Sequence, residues 1–173
     1  MQAAEKLAGG IDAFTDLVGR ATSWLALGIA LVMGANVLLR YAFSIGFIWA
    51  QELEWHIFVP ICLFGMSYAL LHGEHVRVDV LYARFTERNK LRVDLLSAGL
   101  CIVISAVIIW LTLKYVQQSY VIGEQSADPG GLPYRWLLKS LIPVGFLLLL
   151  LQALSELIKD FAELRGLRSG HAA

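Results

Sequence analysis

The chain has 173 residues, of which 58% are hydrophobic and 16% charged, and its formal net charge at pH 7 is zero. This balance excludes an overall electrostatic bias towards nucleic acid. The length leaves no room for a separate soluble domain beside the apolar runs described below, and the mean hydropathy of +0.65 indicates a membrane protein.

The first segment predicts an amphipathic helix that lies at the membrane surface and runs into the first span. Its apolar residues fall at helical spacing: Leu7, Ile11, Phe14, Leu17 and Val18. A disordered tail over residues 1–10 is the alternative. A cleavable signal peptide is disfavoured, because the apolar run after Arg20 exceeds the roughly 7–15 residues of a signal's apolar region.

Four long apolar runs decide the class of protein. No Asp, Glu, Lys or Arg occurs between Arg20 and Arg40, between Glu54 and Glu74, between Asp94 and Lys114, or between Lys139 and Glu156. The first three runs contain 19 residues each and the fourth contains 16, whereas a bilayer core needs roughly 20 residues in helical form. A very apolar soluble bundle is disfavoured, because soluble helices show a polar face.

The sequence therefore predicts an all-α integral membrane protein with four transmembrane helices in one domain, residues 1–173. The predicted spans cover about residues 18–43, 54–72, 92–116 and 134–158. Interfacial connections, with short interfacial helices, are predicted at about 46–54 and 76–86. Glu52, Trp55 and His56 share one helical face, which fits a short helix in the first connection.

The positions of lysine and arginine predict the orientation. With four spans, both termini and the second connection share one side, which holds Lys6, Arg20, Arg77, Arg84, Arg88, Lys90, Arg92, Lys159, Arg165 and Arg168. The opposite side holds Arg40, Lys114, Arg135 and Lys139. Ten positive residues against four predict that both termini lie in the cytoplasm.

Small residues recur every four positions on three spans, and this spacing predicts close helix contacts. They are Thr22, Ala26, Ala30 and Gly34 in the first span, Gly65, Ala69 and Gly73 in the second, and Ser97, Cys101 and Ser105 in the third. The spacing leaves open whether these contacts are internal or with another subunit. The fourth span, with leucine at residues 147–151, has no such face and is predicted to meet lipid or another protein.

The sequence shows no catalytic, cofactor-binding or metal-binding pattern. It has no paired carboxylates at depth, no phosphate loop and no nucleophile with a base. His56 and His72 lie at opposite ends of one span, which disfavours a bis-histidine haem. The span interiors lack the ionisable groups that mark a transport path, and Cys62 and Cys101 are expected to be free thiols. The interpretation that remains is an accessory subunit without an activity of its own.

Short motifs follow one another in order around the first two spans. They are Asn36-Val37-x-x-Arg40-Tyr41-x-Phe43, Trp49-x-x-Glu52, Gly65, and Gly73-x-His75-Val76-Arg77-Val78-Asp79. With this set, and over about residues 20–160, the chain resembles the small membrane subunit (Q, or DctQ-type) of TRAP transporters, the tripartite ATP-independent periplasmic transporters of bacteria and archaea.

The resemblance implies a non-catalytic subunit of a secondary, ion-gradient-driven transporter in the bacterial inner membrane, with sodium as the expected ion. In such systems a periplasmic solute-binding protein delivers the solute, typically an organic acid. A large membrane subunit, M, carries the substrate path and the sodium sites. The small subunit enlarges the fixed scaffold beside it. The implied partners are the large subunit, the binding protein and membrane lipids, with no nucleic acid and no cofactor.

The candidate structural or partner-interface residues are Arg40, Trp49, Glu52, Glu54, Gly65, Gly73, His75, Arg77 and Asp79. Arg40 lies at the end of the first span and the two glutamates lie before the second, so we predict an ion pair between Arg40 and Glu52 or Glu54. Separate interfacial charges in water are the alternative. His75, Arg77 and Asp79 either bind the large subunit, bind anionic lipid headgroups, or follow the positive-inside rule.

Two other functions stay open at this point. One is a free-standing four-helix structural or assembly protein of the membrane. The other is a small autonomous carrier that works as an oligomer. Co-purification with a large membrane subunit separates the first from a transporter subunit, and reconstitution of this chain without partners tests the second.

Overall fold

The computed structural model describes residues 2–74 and 85–170, and of residues 2, 87 and 165–170 it describes the backbone. Within these ranges the chain is helical, with no strand. The four helices are α1 (Gln2–Phe43), α2 (Ile48–Leu71), α3 (Glu87–Val121) and α4 (Arg135–Gly170). Each is long and apolar enough to cross a membrane, so the predicted fold class is confirmed.

The helices are longer than the predicted spans. Helix α1 has 42 residues, which at 1.5 Å per residue is about 63 Å, twice a bilayer core of about 30 Å. The predicted first connection does not form a separate interfacial helix, because residues 48–54 are the beginning of α2. Most of the predicted connection 76–86 lies outside the described residues.

The bundle runs up and down. Asn36 of α1 bonds Glu54 of α2, and Lys159 of α4 pairs with Asp12 of α1, so α1 runs antiparallel to both α2 and α4. We call the end that holds the α1–α2 and α3–α4 connections the loop end. We call the end that holds residues 2–17 of α1 and 152–170 of α4 the terminal end.

Helix α4 is the centre of the bundle, since it packs against all three other helices. It is the most buried of the four candidate spans, and Leu148 and Ala153 belong to the core. The prediction that this span, more than the other three, meets lipid or another protein is therefore wrong. Leu148 is the one leucine of residues 147–151 that is buried, and the other buried positions of α4 include the small residues Gly145, Ala153 and Ser155.

The predicted small faces are only in part contacts inside the subunit: Thr22 and Ser105 are buried, whereas the glycines of these faces are not packed. Nothing lies within 4 Å of a Cβ built on Gly34 or Gly65, whereas Gly19 lies against Tyr68 and Gly145 against Leu63. The buried positions instead repeat every seven residues: Ala8, Thr15, Thr22 and Asn36 on α1, and Leu91, Ala98, Ser105 and Ser119 on α3. A seven-residue repeat is the geometry of left-handed helix packing at shallow crossing angles.

The beginning of α1 does not lie apart as a surface helix. It continues without a break into the span, and the carbonyl oxygen of its buried Ala8 lies 3.2 Å from the hydroxyl oxygen of Ser155 of α4. The polar face of this amphipathic segment packs against α4. The apolar residues Leu7, Phe14 and Leu17 therefore lie on the exposed side of α1.

Candidate functional site at the loop end

Glu52, in the first turns of α2, is the most connected side chain of the loop end. It is 3% exposed. The hydroxyl of Ser126 and the backbone N–H of Leu132 both donate hydrogen bonds to its carboxylate, and Nη2 of Arg135 lies 3.4 Å from Oε1. One buried carboxylate thus holds the α3–α4 connection and the first residue of α4.

The connection between α3 and α4 is shaped to reach this carboxylate. Gly123 and Gly130 have φ of 60° and 83°, values that glycine adopts without the steric cost of a side chain. A Cβ on Gly131 would lie 2.4 Å from Oγ of Ser126 and 2.7 Å from Oε2 of Glu52. The sequence Asp128-Pro129-Gly130-Gly131 therefore places backbone where any larger residue would displace Glu52.

A second ion pair joins the beginning of the α3–α4 connection to α4. Lys139 of α4 donates to the carboxylate of Glu124, and its Nζ lies 4.0 Å from the centre of the Tyr115 ring. The backbone N–H of Arg135 donates to the carbonyl of Glu124 at 3.2 Å. The hydrogen bond from Lys139 holds the pKa of Glu124 below its ordinary value.

Aromatic rings surround the Glu52–Arg135 pair. The guanidinium carbon of Arg135 lies 5.5 Å from the centre of the Trp55 ring, a cation–π distance. Trp55 stacks obliquely on His56 at 4.3 Å, and Nδ1 of His56 lies 2.7 Å from the carbonyl oxygen of Glu52. The loop end therefore contains ion pairs and hydrogen bonds that connect the ends of neighbouring helices. These contacts stabilise the bundle and do not form a catalytic arrangement.

The structure does not form the predicted ion pair of Arg40. Glu52 faces α4, and Glu54, two residues further along α2, faces α1 and accepts a hydrogen bond from Nδ2 of Asn36 at 3.0 Å. Among the described residues Arg40 has no carboxylate within ion-pair distance, and its Nε lies near Gly46 instead. The chain distance allowed the pair, but consecutive helix positions point about 100° apart, which assigns each glutamate to a different neighbour.

The other predicted site residues are spread along the bundle. Trp49 is half-exposed at the loop end, and Gly65 faces open space in the middle of α2. Gly73 has φ of +70° and ends α2, where the N–H of Glu74 bonds the carbonyl of Ala69 at 2.9 Å. His75, Arg77 and Asp79 lie outside the described residues.

A polar network at the terminal end was missed by the sequence reasoning. Asp12 of α1 accepts hydrogen bonds from Ser155 at 2.7 Å and from Gln152 at 3.0 Å, and Lys159 lies 3.0 Å away. Gln152 also donates to Glu156 at 3.0 Å. The seven-residue repeat Ala8-Thr15-Thr22 on α1 was the signal that could have found this contact.

The part of the chain that the structure describes contains no candidate metal-binding site. Residues 2–74 and 85–170 contain no group of three or more His, Cys, Asp or Glu side chains arranged to hold a metal ion. The thiols of Cys62 and Cys101 are free.

These features describe a rigid four-helix membrane bundle, and comparison with known proteins gives its family. The family described as tripartite ATP-independent periplasmic transporters, DctQ component, matches residues 29–163. The chain belongs to this family. The suspected resemblance is thereby confirmed, and so are a non-enzymatic role and a multi-pass location in the inner membrane, since the family is a transporter component.

Two relatives carry the same description in their names. The chain is similar to the C4-dicarboxylate TRAP transporter small permease protein DctQ of Rhodobacter capsulatus, with 33% identity over 102 residues, 59% of this chain and 44% of that protein. It is similar to the ectoine TRAP transporter small permease protein TeaB of Halomonas elongata, with 25% identity over 142 residues, 79% of this chain and 71% of that protein. The first match thus spans less than half the length of the relative.

Proposed function

We propose that this DctQ-family chain is the small, non-transporting membrane subunit of a sodium-driven TRAP transporter. In this proposal it stabilises a large membrane subunit, which takes up an organic acid delivered by a periplasmic binding protein. The observation that carries the proposal is the combination of family membership with a bundle locked at both ends, by Glu52–Arg135 and by Asp12–Lys159.

The charge pattern supports the passive role. The runs between the charged residues that bound each span contain no Asp, Glu, Lys or Arg, and coupling ions and charged solutes normally need such groups or broken helices at depth. Helices α2 and α4 continue through Pro60 and Pro143 without interruption. A small autonomous carrier lacks support from these observations, and a free-standing structural protein does not account for the family.

The orientation and the interface residues are part of the proposal. We place the terminal end in the cytoplasm, on the side that carries ten of the fourteen Lys and Arg residues. The residues proposed to contact the large subunit or lipid are Arg40, Trp49, Gly65, Gly73, His75, Arg77 and Asp79. Glu52 and Glu54 are proposed as internal supports of that surface, because their bonds lie within the subunit.

Reconstitution tests the proposal. Proteoliposomes that contain this chain, the large subunit and the binding protein are expected to take up an organic acid when an inward sodium gradient is applied. Omission of this chain is expected to abolish uptake or to lower it strongly, and so is omission of the large subunit. Sodium-driven uptake with this chain and the binding protein, but without a large subunit, would overturn the non-transporting role.

The solute is tested in the same vesicles. The name of the Rhodobacter relative specifies a C4-dicarboxylate and that of the Halomonas relative specifies ectoine, so a C4-dicarboxylate and ectoine are the first two solutes to compare. Replacement of sodium by potassium on the outside tests the coupling ion. Equal uptake in both salts would contradict the sodium part of the proposal and leave the subunit role intact.

A further inference from the structure

A narrow groove runs between α1 and α2 at the loop end, and its volume is about 250 Å³. Its lining side chains are aliphatic or aromatic apart from Asn36, whose amide bonds Glu54. We call it the α1–α2 groove. The residues that form most of its walls are Val32, Ala35 and Leu39 on α1 and Phe47, Trp49 and Leu53 at the beginning of α2.

The α1–α2 groove crosses the boundary of the hydrocarbon core. Arg40 ends the uncharged run of α1, and Glu54, which Asn36 bonds, precedes the uncharged run of α2. The boundary of the core therefore falls between the levels of Asn36 and Arg40. Val32 lies a further turn, about 6 Å, inside Asn36. The inner part of the groove thus faces hydrocarbon, and its outer part faces lipid headgroups.

Arg40 supplies an unpaired positive charge at the outer end of the groove. It follows Leu39 on α1, it is exposed, and its Nε would lie 3.9 Å from a Cβ built on Gly46, the residue before Phe47. No carboxylate of the described residues lies within ion-pair distance of it, since Glu54 is held by Asn36. A phosphate is the anion that a guanidinium binds best at a membrane surface, because two N–H groups match two of its oxygens.

The width of the groove determines what its apolar part accepts. From Val32 to Leu39 the helix axis advances about 10 Å, so the volume of about 250 Å³ corresponds to a channel roughly 5 Å across. Carbon atoms in contact lie about 3.5–4.0 Å apart, so one unbranched hydrocarbon chain fits this channel. A helix of another protein, about 10–12 Å wide with its side chains, does not enter it.

We propose that the α1–α2 groove binds one phospholipid, with an acyl chain between the two helices and the phosphate on Arg40. Trp49, which is 47% exposed, lies at the level of the headgroups, where tryptophan rings are favoured. The inference rests on the proposed function in one respect, because it decides between the two contacts proposed there for Arg40 and Trp49 and assigns both residues to lipid.

Native mass spectrometry of the full-length chain tests the proposal. The chain is purified in detergent, freed of lipid and mixed with phosphatidylglycerol. We expect Arg40→Gln to weaken the binding of the first phosphatidylglycerol by about fivefold or more, because the phosphate loses its charged partner. The matched control is Lys114→Gln, which removes an exposed positive charge at the end of the uncharged run of α3 and is expected to bind like the wild type.

A second variant tests the apolar part of the site and leaves Arg40 in place. Ala35 is an exposed residue of the groove wall, so Ala35→Phe fills the channel without overpacking the bundle. We expect it to weaken binding by about fivefold or more. Ala26→Phe, at an exposed position of α1 away from the groove, is the control. Thermal melting of each lipid-free variant shows whether it is folded, and if Arg40→Gln does not fold, Ala35→Phe decides the matter.

Diacylglycerol tests the part of the phosphate, because it has the same chains without that group. It is expected to displace phosphatidylglycerol from the wild type about tenfold less effectively than unlabelled phosphatidylglycerol does. Equal displacement, or normal binding by folded Arg40→Gln or Ala35→Phe, would overturn the lipid site and leave the proposed function standing, since no large subunit takes part in this experiment. Uptake by vesicles without a large subunit would contradict the proposed function and leave the lipid site standing.

Discussion

Glu52 and Arg135 face each other across the loop end, with Oε1 and Nη2 3.4 Å apart, although 83 positions separate them in the sequence. Glu52 lies near the beginning of α2 and Arg135 is the first residue of α4, and these two helices run parallel. The side chain of Glu52 is 5% exposed and that of Arg135 is 28% exposed. A buried charge is destabilising unless it has partners. The partners of Glu52 therefore fix the position of α4 along its axis relative to α2.

The first prediction concerns Glu52→Gln. The amide keeps the volume of the side chain but removes the charge that Arg135, Ser126 and the N–H of Leu132 now share. We expect the melting temperature of the purified subunit to fall by about 5 °C, and cleavage of the 122–134 connection by an added protease to accelerate, because this connection loses its anchor.

Glu74→Gln is the control for this variant, since Glu74 is exposed at the other end of α2 and its side chain makes no hydrogen bond among the described residues. It is expected to melt like the wild type. Equal melting and equal protease resistance of Glu52→Gln and Glu74→Gln would show that the Glu52 cluster does not hold the loop end.

The four-helix fold was predictable from the sequence because the bilayer core has a nearly fixed thickness. That thickness sets the length of an apolar run that can span it. The partners of Glu52 were not predictable. Eleven residues lie between Arg40 and Glu52, which made a local ion pair plausible, whereas the actual partners come from residues 126–135. The rotation of each helix about its axis decides which neighbouring helix a given residue faces. A helix that is apolar on every face gives no sequence signal of that rotation.

The second prediction compares glycines that are packed with glycines that are not. A Cβ on Gly145 of α4 would lie 2.7 Å from Cβ of Leu63 of α2, whereas a Cβ on Gly65 meets nothing within 4 Å. We expect Gly145→Ala to destabilise the isolated subunit by about 1–3 kcal/mol. Gly65→Ala is expected to leave it unchanged or slightly more stable.

Equilibrium unfolding in mixed micelles measures both variants. A loss of stability in Gly65→Ala that equals the loss in Gly145→Ala would mean that α2 packs against its neighbours through another face. The comparison also tests the sequence rule itself, because Gly65 belongs to the four-residue spacing and Gly145 does not.

The third prediction concerns the terminal end. Ser155 is fully buried, and its hydroxyl donates to Asp12 at 2.7 Å and lies 3.2 Å from the carbonyl oxygen of Ala8. Ser155→Ala removes these contacts without adding volume, so we expect a loss of about 1 kcal/mol in the free energy of unfolding. Ser140→Ala, whose hydroxyl bonds the carbonyl of Leu137 within its own helix, is the matched control.

A double-mutant cycle with Asp12→Asn completes this test. If Ser155 acts through Asp12, the double variant loses less stability than the sum of the two single variants. Additive losses would show that the hydroxyl and the carboxylate stabilise the α1–α4 contact independently.

The fourth prediction concerns pH. The hydrogen bond from Lys139 lowers the pKa of Glu124 below its ordinary value of 4.5, so the folded state holds this proton more weakly than the unfolded state. The stability that Glu124 contributes is therefore fully present above pH 4.5 and is lost as the pH falls through the lower pKa of the folded state. We expect Glu124→Gln to melt below the wild type at about pH 7. The two curves are expected to converge in acid, and a constant difference across the range would contradict the assignment.

The fifth prediction concerns orientation, which follows from charge and not from the helix packing. A bundle of four antiparallel helices has the same contacts in either orientation, so the distribution of Lys and Arg across the two ends is the physical signal. We expect a reporter that is active only in the periplasm to work when fused within the connection Gly123–Gly131. It is expected to be silent when fused after Lys90 or at Ala173, and a reporter active only in the cytoplasm is expected to give the opposite pattern. Periplasmic activity at Ala173 would place the Asp12–Lys159 network on the periplasmic side and would contradict the predicted orientation.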